Sequence, residues 1–102
     1  LAASSEGKSL RGDAQAELLL VAAGARLDLG QTNAAVGLLR GACSNTPKNA
    51  PWAPRIYYGY AEALLANGDR DDARDWFLKA ASADTNGSTD AADRIDELDS
   101  AD

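Results

Sequence analysis

Two stretches of this chain repeat the same order of small and large residues. A shift of 38 positions aligns glycine with glycine, alanine with alanine, and one large apolar residue with another. The aligned pairs are Gly30 and Gly68, Ala35 and Ala73, Leu39 and Phe77, and Ala42 and Ala80. Units this short cannot bury their apolar faces alone and are stable only when stacked on one another. At 102 residues, we therefore expect one domain built from two similar units.

Each unit contains two segments in which apolar residues recur every three or four positions, the spacing of one helix face. The first helix is predicted over residues 14–29 and its partner over 32–43, and the second unit repeats this pair on either side of Gly68. A last short helix is predicted to turn Ala91, Ile95 and Leu98 inward. Residues 1–12 are rich in Ser and Gly and show no helical period, so they are predicted to be frayed.

The first predicted helix is apolar nearly all round. Its main stripe consists of Leu18, Val21, Ala22, Ala25 and Leu29, and further leucines occupy the other faces. A helix of this kind must be covered on two sides, so we expect it to be an inner element of a stack. The predicted helix ends are Gly30 and Gly68, and the predicted N-caps are Thr32 or Asn33, Asp69 and Thr89.

The composition agrees with an all-α fold and excludes several kinds of site. The chain has 22 Ala and 13 Leu but only eight Val, Ile and Thr together, which disfavours strands. With no His and one Cys, it cannot supply a His-containing zinc site, a disulfide or a Ser/His/Asp triad from its own residues. We therefore expect no enzyme activity, no metal and no cofactor.

The charge and the apolar runs argue against two classes of partner. The net charge is −6, which disfavours binding to the phosphates of nucleic acid. The longest apolar run, residues 18–25, is far shorter than the roughly 20 residues of a membrane span. Cys43 as a lone thiol favours a cytoplasmic location. Because the chain starts at Leu1 and contains no Met, we also expect it to be a fragment of a longer protein.

The alternation of small and large residues resembles the tetratricopeptide repeat family, and the second unit matches it best. The matching positions are Tyr57, Tyr60, Ala61 and Leu64 in the first helix and Ala73, Phe77 and Ala80 in the second. Residues 22–31, 60–84 and 89–99 also resemble the C-terminal repeats of actinobacterial members of that family. The resemblance implies an α-α superhelix of about two helix pairs with a C-terminal capping helix: repeat one over 14–46, repeat two over 54–86 and the capping helix over 88–99.

In this family the first helix of each pair lines a concave groove, which implies a set of binding residues here. The implied groove residues are Glu17, Leu20, Gly24, Leu27 and Asp28 from the first unit, and Arg55, Tyr58, Glu62, Leu65 and Ala66 from the second. The groove is mostly apolar, with Tyr58 as a rigid anchor and Arg55 as a clamp for a carboxylate or a backbone. An alternative interpretation is that Leu20, Leu27, Tyr58 and Leu65 pack on each other or on neighbouring repeats.

Three other patterns are better explained by structure than by chemistry. Residues 84–90 alternate oxygen-bearing side chains like a calcium loop, but the glycine and glutamate that such a loop needs are missing. Asp69, Asp71, Asp72 and Asp75 are predicted to form a solvated first helical turn. Cys43 lies on an apolar stripe and is predicted to be a small buried thiol.

The sequence thus predicts a non-enzymatic module that binds a peptide or helix of a partner protein in its groove. The alternative is self-association, as a homodimer for example, through the apolar face of the first helix. A part in an enzyme whose chemistry lies upstream also stays open.

Overall fold

The computed structural model describes residues 2–85 and 87–100, with side chains from Gly12 onward. These residues form five helices and no strand, so the predicted all-α fold is confirmed. The helices are α1 (Ala2–Asp28), α2 (Thr32–Asn45), α3 (Ala53–Ala66), α4 (Arg70–Ala83) and α5 (Ala91–Ser100). Helix α3 is the centre of the stack, because it contacts α1, α2 and α4, while α5 packs on α4.

Both helix pairs turn in the same way. Gly30 and Gly68 have φ angles of +77° and +89°, a conformation that glycine adopts without steric cost. The amide of Gln31 donates to the carbonyl of Arg26 at 2.8 Å, and that of Asp69 donates to Leu64 at 2.8 Å. Each turn also has the second bond of a Schellman motif, which spans fewer residues: the amide of Gly30 donates to Leu27 at 3.0 Å, and that of Gly68 to Leu65 at 3.1 Å. The repeated glycines therefore end α1 and α3, as predicted.

The repeated alanines let the helices cross closely. Ala35 and Ala73 are fully buried, and so is Phe77, while Leu39 is nearly so. A methyl side chain at the crossing allows the neighbouring helix to approach, and the large residue one turn later fills the space beside it. The repeat in the sequence therefore corresponds to the same packing arrangement in both helix pairs. These residues belong to one continuous core that extends from Ala16 to Leu98.

Of the predicted N-caps, only Asp69 stands directly before its helix. Asp69 is the N-cap of α4, but its side chain makes no capping bond. Its carboxylate accepts a hydrogen bond from the side-chain amide of Asn67 at 3.0 Å. The N-cap of α2 is Gln31 rather than Thr32 or Asn33, because the helix already begins at Thr32. The Thr32 hydroxyl donates instead to the side-chain oxygen of Asn67 at 2.7 Å. Before α5, the Thr89 hydroxyl accepts from the amide of Ala91 at 3.3 Å.

The start of α1 differs from the prediction. Residues 2–12 are helical rather than frayed, so the helix is 27 residues long. No proline interrupts this segment, and Ala, Glu, Lys, Leu and Arg in it are good helix formers. The helix also finds a contact near its middle, where the Trp52 ring packs so close to Gly12 that a Cβ there would lie 2.6 Å from a ring carbon.

The expectation that α1 is covered on two sides is wrong for the described residues. Ala16 and Ala23 are buried against α2 and α3, with Leu19, Leu20 and Leu27 partly buried beside them. The predicted main stripe faces away: Leu18, Val21 and Leu29 are 70%, 68% and 70% exposed. The periodicity identified two apolar faces, and the stack covers the one that carries Ala16 and Ala23.

Helix α5 covers the free side of α4. Ala91 and Leu98 are buried and Ile95 is partly buried, which is the inward face that the sequence predicts. The Asp99 carboxylate accepts two bonds from the Arg74 guanidinium, at 2.8 and 3.0 Å. The remaining acids of α5, Asp93, Asp96 and Glu97, are exposed.

Candidate functional site

A cavity of about 480 Å³ lies between α1, α3 and the segment that leads into α5. We call this cavity the groove. Its volume falls within the range of ligand sites, roughly 300–1,000 Å³. It is lined by Leu20, Ala23, Gly24, Leu27, Leu39, Arg55, Tyr58, Gly59, Glu62, Ser88, Thr89 and Asp90.

The α1 wall of the groove is apolar and contains a gap at Gly24. Leu20, Gly24 and Leu27 follow each other at the three- and four-residue spacing of one helix face. A Cβ added to Gly24 would have no atom within 4 Å, so the space in front of this backbone is open. Leu20, by contrast, lies against α3, where a Cβ on Gly59 would come within 2.5 Å of its side chain. The two glycines therefore have different effects: Gly59 lets the helices meet and Gly24 deepens the groove.

The charged residues of the α3 wall are already paired within the chain. The Arg55 guanidinium forms an ion pair with the Glu17 carboxylate of α1. The Glu62 carboxylate lies 2.7 Å from the guanidinium of Arg94 in α5. A carboxylate from outside the chain would have to displace Glu17 to reach Arg55. Asp90, the remaining charged residue of the lining, is exposed and is hydrogen-bonded to Tyr58.

Tyr58 is both a wall of the groove and part of the packing. Its ring makes an edge-on contact with Phe77, with ring centroids 5.3 Å apart. Burial, together with a hydrogen bond to Asp90, raises the pKa of Tyr58 to about 12. Removal of this ring would also uncover the core, so the packing interpretation applies to Tyr58, and its role as a binding anchor stays a prediction. Tyr58 is therefore a poor residue for testing binding alone.

The end of the groove is closed by a loop that Asp84 organises. One carboxylate oxygen of Asp84 accepts bonds from the amide and hydroxyl of Ser88, at 2.7 and 3.0 Å. The other accepts from the amide and hydroxyl of Thr89, both at 2.7 Å. The Thr89 hydroxyl, followed by the Ser88 and Thr89 amides, lowers the pKa of Asp84 to about 2. This loop places Asp90 beside Tyr58.

The family comparison agrees with this architecture. A family model described as tetratricopeptide repeat matches residues 26–93, two thirds of the chain, from the end of α1 to the start of α5. The chain belongs to the tetratricopeptide repeat family. Searches of curated proteins and of solved structures gave no match. Such repeats generally act as protein-interaction modules and are typically non-catalytic.

The second tetratricopeptide unit fills the family's positions with buried side chains. The seven residues that carried the resemblance are all buried: Tyr57, Tyr60, Ala61, Leu64, Ala73, Phe77 and Ala80. In the first unit Arg26 is exposed where the family has a large apolar residue, and its guanidinium donates to Gln31 at 2.8 Å. The family signature therefore describes the packing of this chain and leaves its ligand undefined.

The register of the repeats brings six of the ten implied groove residues together. The six that line one cavity are Leu20, Gly24, Leu27, Arg55, Tyr58 and Glu62. The other four lie outside its lining: Glu17 pairs with Arg55, Leu65 packs against the core, and Asp28 and Ala66 are exposed. Sequence reasoning missed the contribution of Ser88, Thr89 and Asp90, which lie beyond the second unit. The sequence signal for these residues is the run of oxygen-bearing side chains over 84–90, which lacks the glycine and glutamate of a calcium loop.

The other candidate residues have structural surroundings. Asp69, Asp71, Asp72 and Asp75 are exposed at the start of α4, as predicted. Cys43 is partly buried, and this burial raises the pKa of its thiol to about 12. Within residues 2–85 and 87–100, no group of three or more His, Cys, Asp or Glu side chains is placed to hold a metal, and Asn86 lies outside the described residues. No helix in that same part is long and apolar enough to cross a membrane.

Proposed function

We propose that this tetratricopeptide module is non-enzymatic and binds an apolar peptide or helix of a partner protein in the groove. The observation that carries the proposal is the open space in front of Gly24, in a wall built from leucines and Tyr58. An apolar side chain of the partner that enters this space removes apolar surface from water on both molecules, which stabilises the complex.

The charge pattern supports an apolar partner segment rather than a charged one. Arg55 and Glu62, the charged residues of the α3 wall, are each paired with a residue of the chain itself. A ligand that relied on one of these charges would first have to break an internal pair. An aliphatic or aromatic anchor needs no such exchange.

The proposal can be tested by filling the groove without disturbing the fold. Peptides are selected against the wild-type chain from a random peptide library, and their affinities are then measured for Gly24→Trp. The Trp side chain has room to enter the groove, since a Cβ at this position meets nothing. Gly37→Trp is the matched control, because Gly37 is also a helical glycine with open space around it but does not line the groove.

We expect Gly24→Trp to bind the selected peptides at least about tenfold more weakly, and Gly37→Trp to bind them as the wild type does. Equal binding by both variants would show that the selected peptides bind elsewhere. Circular dichroism of both variants checks that the helices are retained.

Self-association is a second candidate function, and the exposed stripe of α1 favours it. Leu18, Val21 and Leu29 present an apolar face that water contacts in this chain. Such a face gains stability when a second copy covers it. Sedimentation equilibrium over a wide concentration range tests this, with a Leu18→Glu, Val21→Glu variant as the control. A wild-type chain that stays monomeric at the highest concentration would contradict self-association.

A further inference from the structure

A second cavity, separate from the groove, lies between the end of α2 and the outer side of α4. We call it the outer cavity. Its volume is about 610 Å³, and no residue lines both cavities. It is lined by Cys43, Ser44, Thr46, Lys48, Tyr57, Trp76, Leu78, Lys79, Ser82 and Ala83.

The charge of the outer cavity is opposite to that of the chain. The chain has a net charge of −6, with 16 acidic residues, yet no carboxylate lines this cavity. Lys48 and Lys79, two of the three lysines in the sequence, both line it. Neither lysine forms an ion pair in the described part of the chain. The outer cavity is therefore a local positive site on an acidic protein, and it attracts anionic groups.

An aromatic platform forms one wall of the outer cavity. The Trp76 ring packs against Tyr57 and Tyr60, with ring centroids 5.6 and 4.9 Å away, so its position is fixed. The Lys79 ammonium lies 4.5 Å from the centroid of the Trp76 ring, a cation–π contact. Leu78 is 41% exposed, whereas the other exposed large hydrophobic side chains among the described residues lie in α1 or directly after it. The cavity thus offers an apolar surface beside its two positive charges.

Two hydroxyl groups of the outer cavity, those of Ser44 and Thr46, favour a peptide over a carboxylate ion. Ser44 donates its hydroxyl to the carbonyl of Arg40 at 3.2 Å, and Thr46 donates to that of Ala42 at 2.6 Å. Both hydroxyl oxygens keep acceptor capacity. A peptide backbone supplies N–H donors for these two oxygens, whereas a carboxylate ion supplies none.

We propose that the outer cavity binds an acidic peptide segment of a partner protein, with an apolar side chain on the Trp76 and Leu78 surface and carboxylates at Lys48 and Lys79. A membrane surface fits less well, because its anionic lipids would meet the negative charge of the whole chain over a wide area. This site is independent of the groove, so either can exist without the other.

The test uses the two tryptophans as reporters. The probe is the peptide acetyl-Glu-Glu-Leu-Glu-Glu-amide, titrated into the ¹⁵N-labelled chain while the two indole N–H signals are followed by NMR. Trp76 lines the outer cavity, whereas Trp52 lines a different cavity near Gly12 and serves as an internal control. We expect a saturable shift of the Trp76 signal and little change at Trp52.

Matched variants separate a specific site from the effect of net charge. Lys48→Gln, Lys79→Gln removes two positive charges from the outer cavity, and Arg26→Glu changes the net charge by the same amount at an exposed site on α1. We expect about tenfold weaker binding for the first variant and unchanged binding for the second. Leu78→Glu, which puts a carboxylate at the rim, is expected to abolish the Trp76 shift.

Several results would overturn the proposal. They are an equal shift with acetyl-Lys-Lys-Leu-Lys-Lys-amide, equal losses in the Lys48→Gln, Lys79→Gln and Arg26→Glu variants, or no saturable shift at millimolar peptide. Binding of the chain to phosphatidylserine vesicles without a Trp76 shift by the acidic peptide would assign the lysines to a membrane surface instead. Far-UV circular dichroism of each variant shows whether the fold is kept.

Discussion

Single atoms decide the shape of the groove at two glycines. Gly24 leaves a space that a Cβ would enter freely, and Gly59 leaves a space that the Leu20 side chain already occupies. Both lie inside helices, where glycine is less favourable than alanine by about 0.8–1.0 kcal/mol. The same substitution therefore has different consequences at the two positions.

We expect Gly24→Ala to raise the free energy of unfolding by about 0.5–1 kcal/mol, because the helix gains propensity and no contact is strained. Gly59→Ala should give a smaller increase in the free energy of unfolding, because its Cβ has to push the Leu20 side chain aside. Urea unfolding followed by circular dichroism measures both values. Gly59→Ala as stabilising as Gly24→Ala would show that Leu20 moves without cost.

Cys43 illustrates how burial controls reactivity at one residue. The pKa of its thiol is raised to about 12 by burial, so almost none of it is thiolate at pH 8. We expect iodoacetamide to modify the folded chain far more slowly than the chain in urea, where the thiol has an ordinary pKa. Mass spectrometry of timed samples measures the two rates, and similar rates would mean that the thiol is accessible and ionises normally.

At the scale of the elements, the conformation of the segment between α4 and α5 depends on the ionised Asp84 carboxylate. The four hydrogen bonds that reach the Asp84 carboxylate all favour its charged form. Its folded pKa of about 2 lies below the ordinary 3.8, so its contribution to stability is present above about pH 4 and is lost as the pH falls through 2.

We therefore expect Asp84→Asn to be less stable than the wild type at pH 6 and for the difference to shrink below pH 3. Thermal unfolding at a series of pH values measures the difference, and NMR titration of the Asp84 carboxyl carbon measures the pKa directly. A difference that stays constant from pH 6 to pH 2 would assign the effect to lost contacts rather than to charge.

The helices were predictable where the sequence contains a strong local signal. Gly30 and Gly68 mark the ends of α1 and α3, and the prolines before residue 55 mark the start of α3. The start of α1 was not predictable, because Ser and Gly lower helix propensity there without interrupting the helix. The choice between the two apolar faces of α1 depends on contacts with α2 and α3, which no local pattern contains.

At the scale of the whole molecule, the repeat predicted half of the residues that line the groove, because it fixes which helix faces meet. Six of the twelve lining residues follow from the register of the two units. The residues that close the groove, Ser88 to Asp90, lie outside both units and are placed by the bonds to Asp84. Leu65 shares a helix with the groove residues but lies beyond the cavity. The register of the repeats therefore determines which residues form the walls of the groove, but not which residues close its end.

The central position of α3 also predicts how the chain unfolds. Because α3 contacts both α2 and α4, the two helix pairs should unfold together. We expect Leu39→Ala, which removes a buried side chain from α2, to cost about 2–5 kcal/mol. In a Trp52→Phe background, the fluorescence of Trp76 in α4 should report the same unfolding midpoint as circular dichroism. A later midpoint for Trp76 would show that the second pair unfolds separately.

The pairing of the groove charges within the chain means that the groove and the outer cavity respond differently to ionic strength. Apolar contacts in the groove are insensitive to moderate salt, whereas the two exposed lysines of the outer cavity are screened by it. If both surfaces bind partners, a rise in salt concentration releases the acidic partner from the outer cavity and leaves the apolar partner bound in the groove. Elution from a column at increasing salt would then separate the two classes of partner in a single experiment.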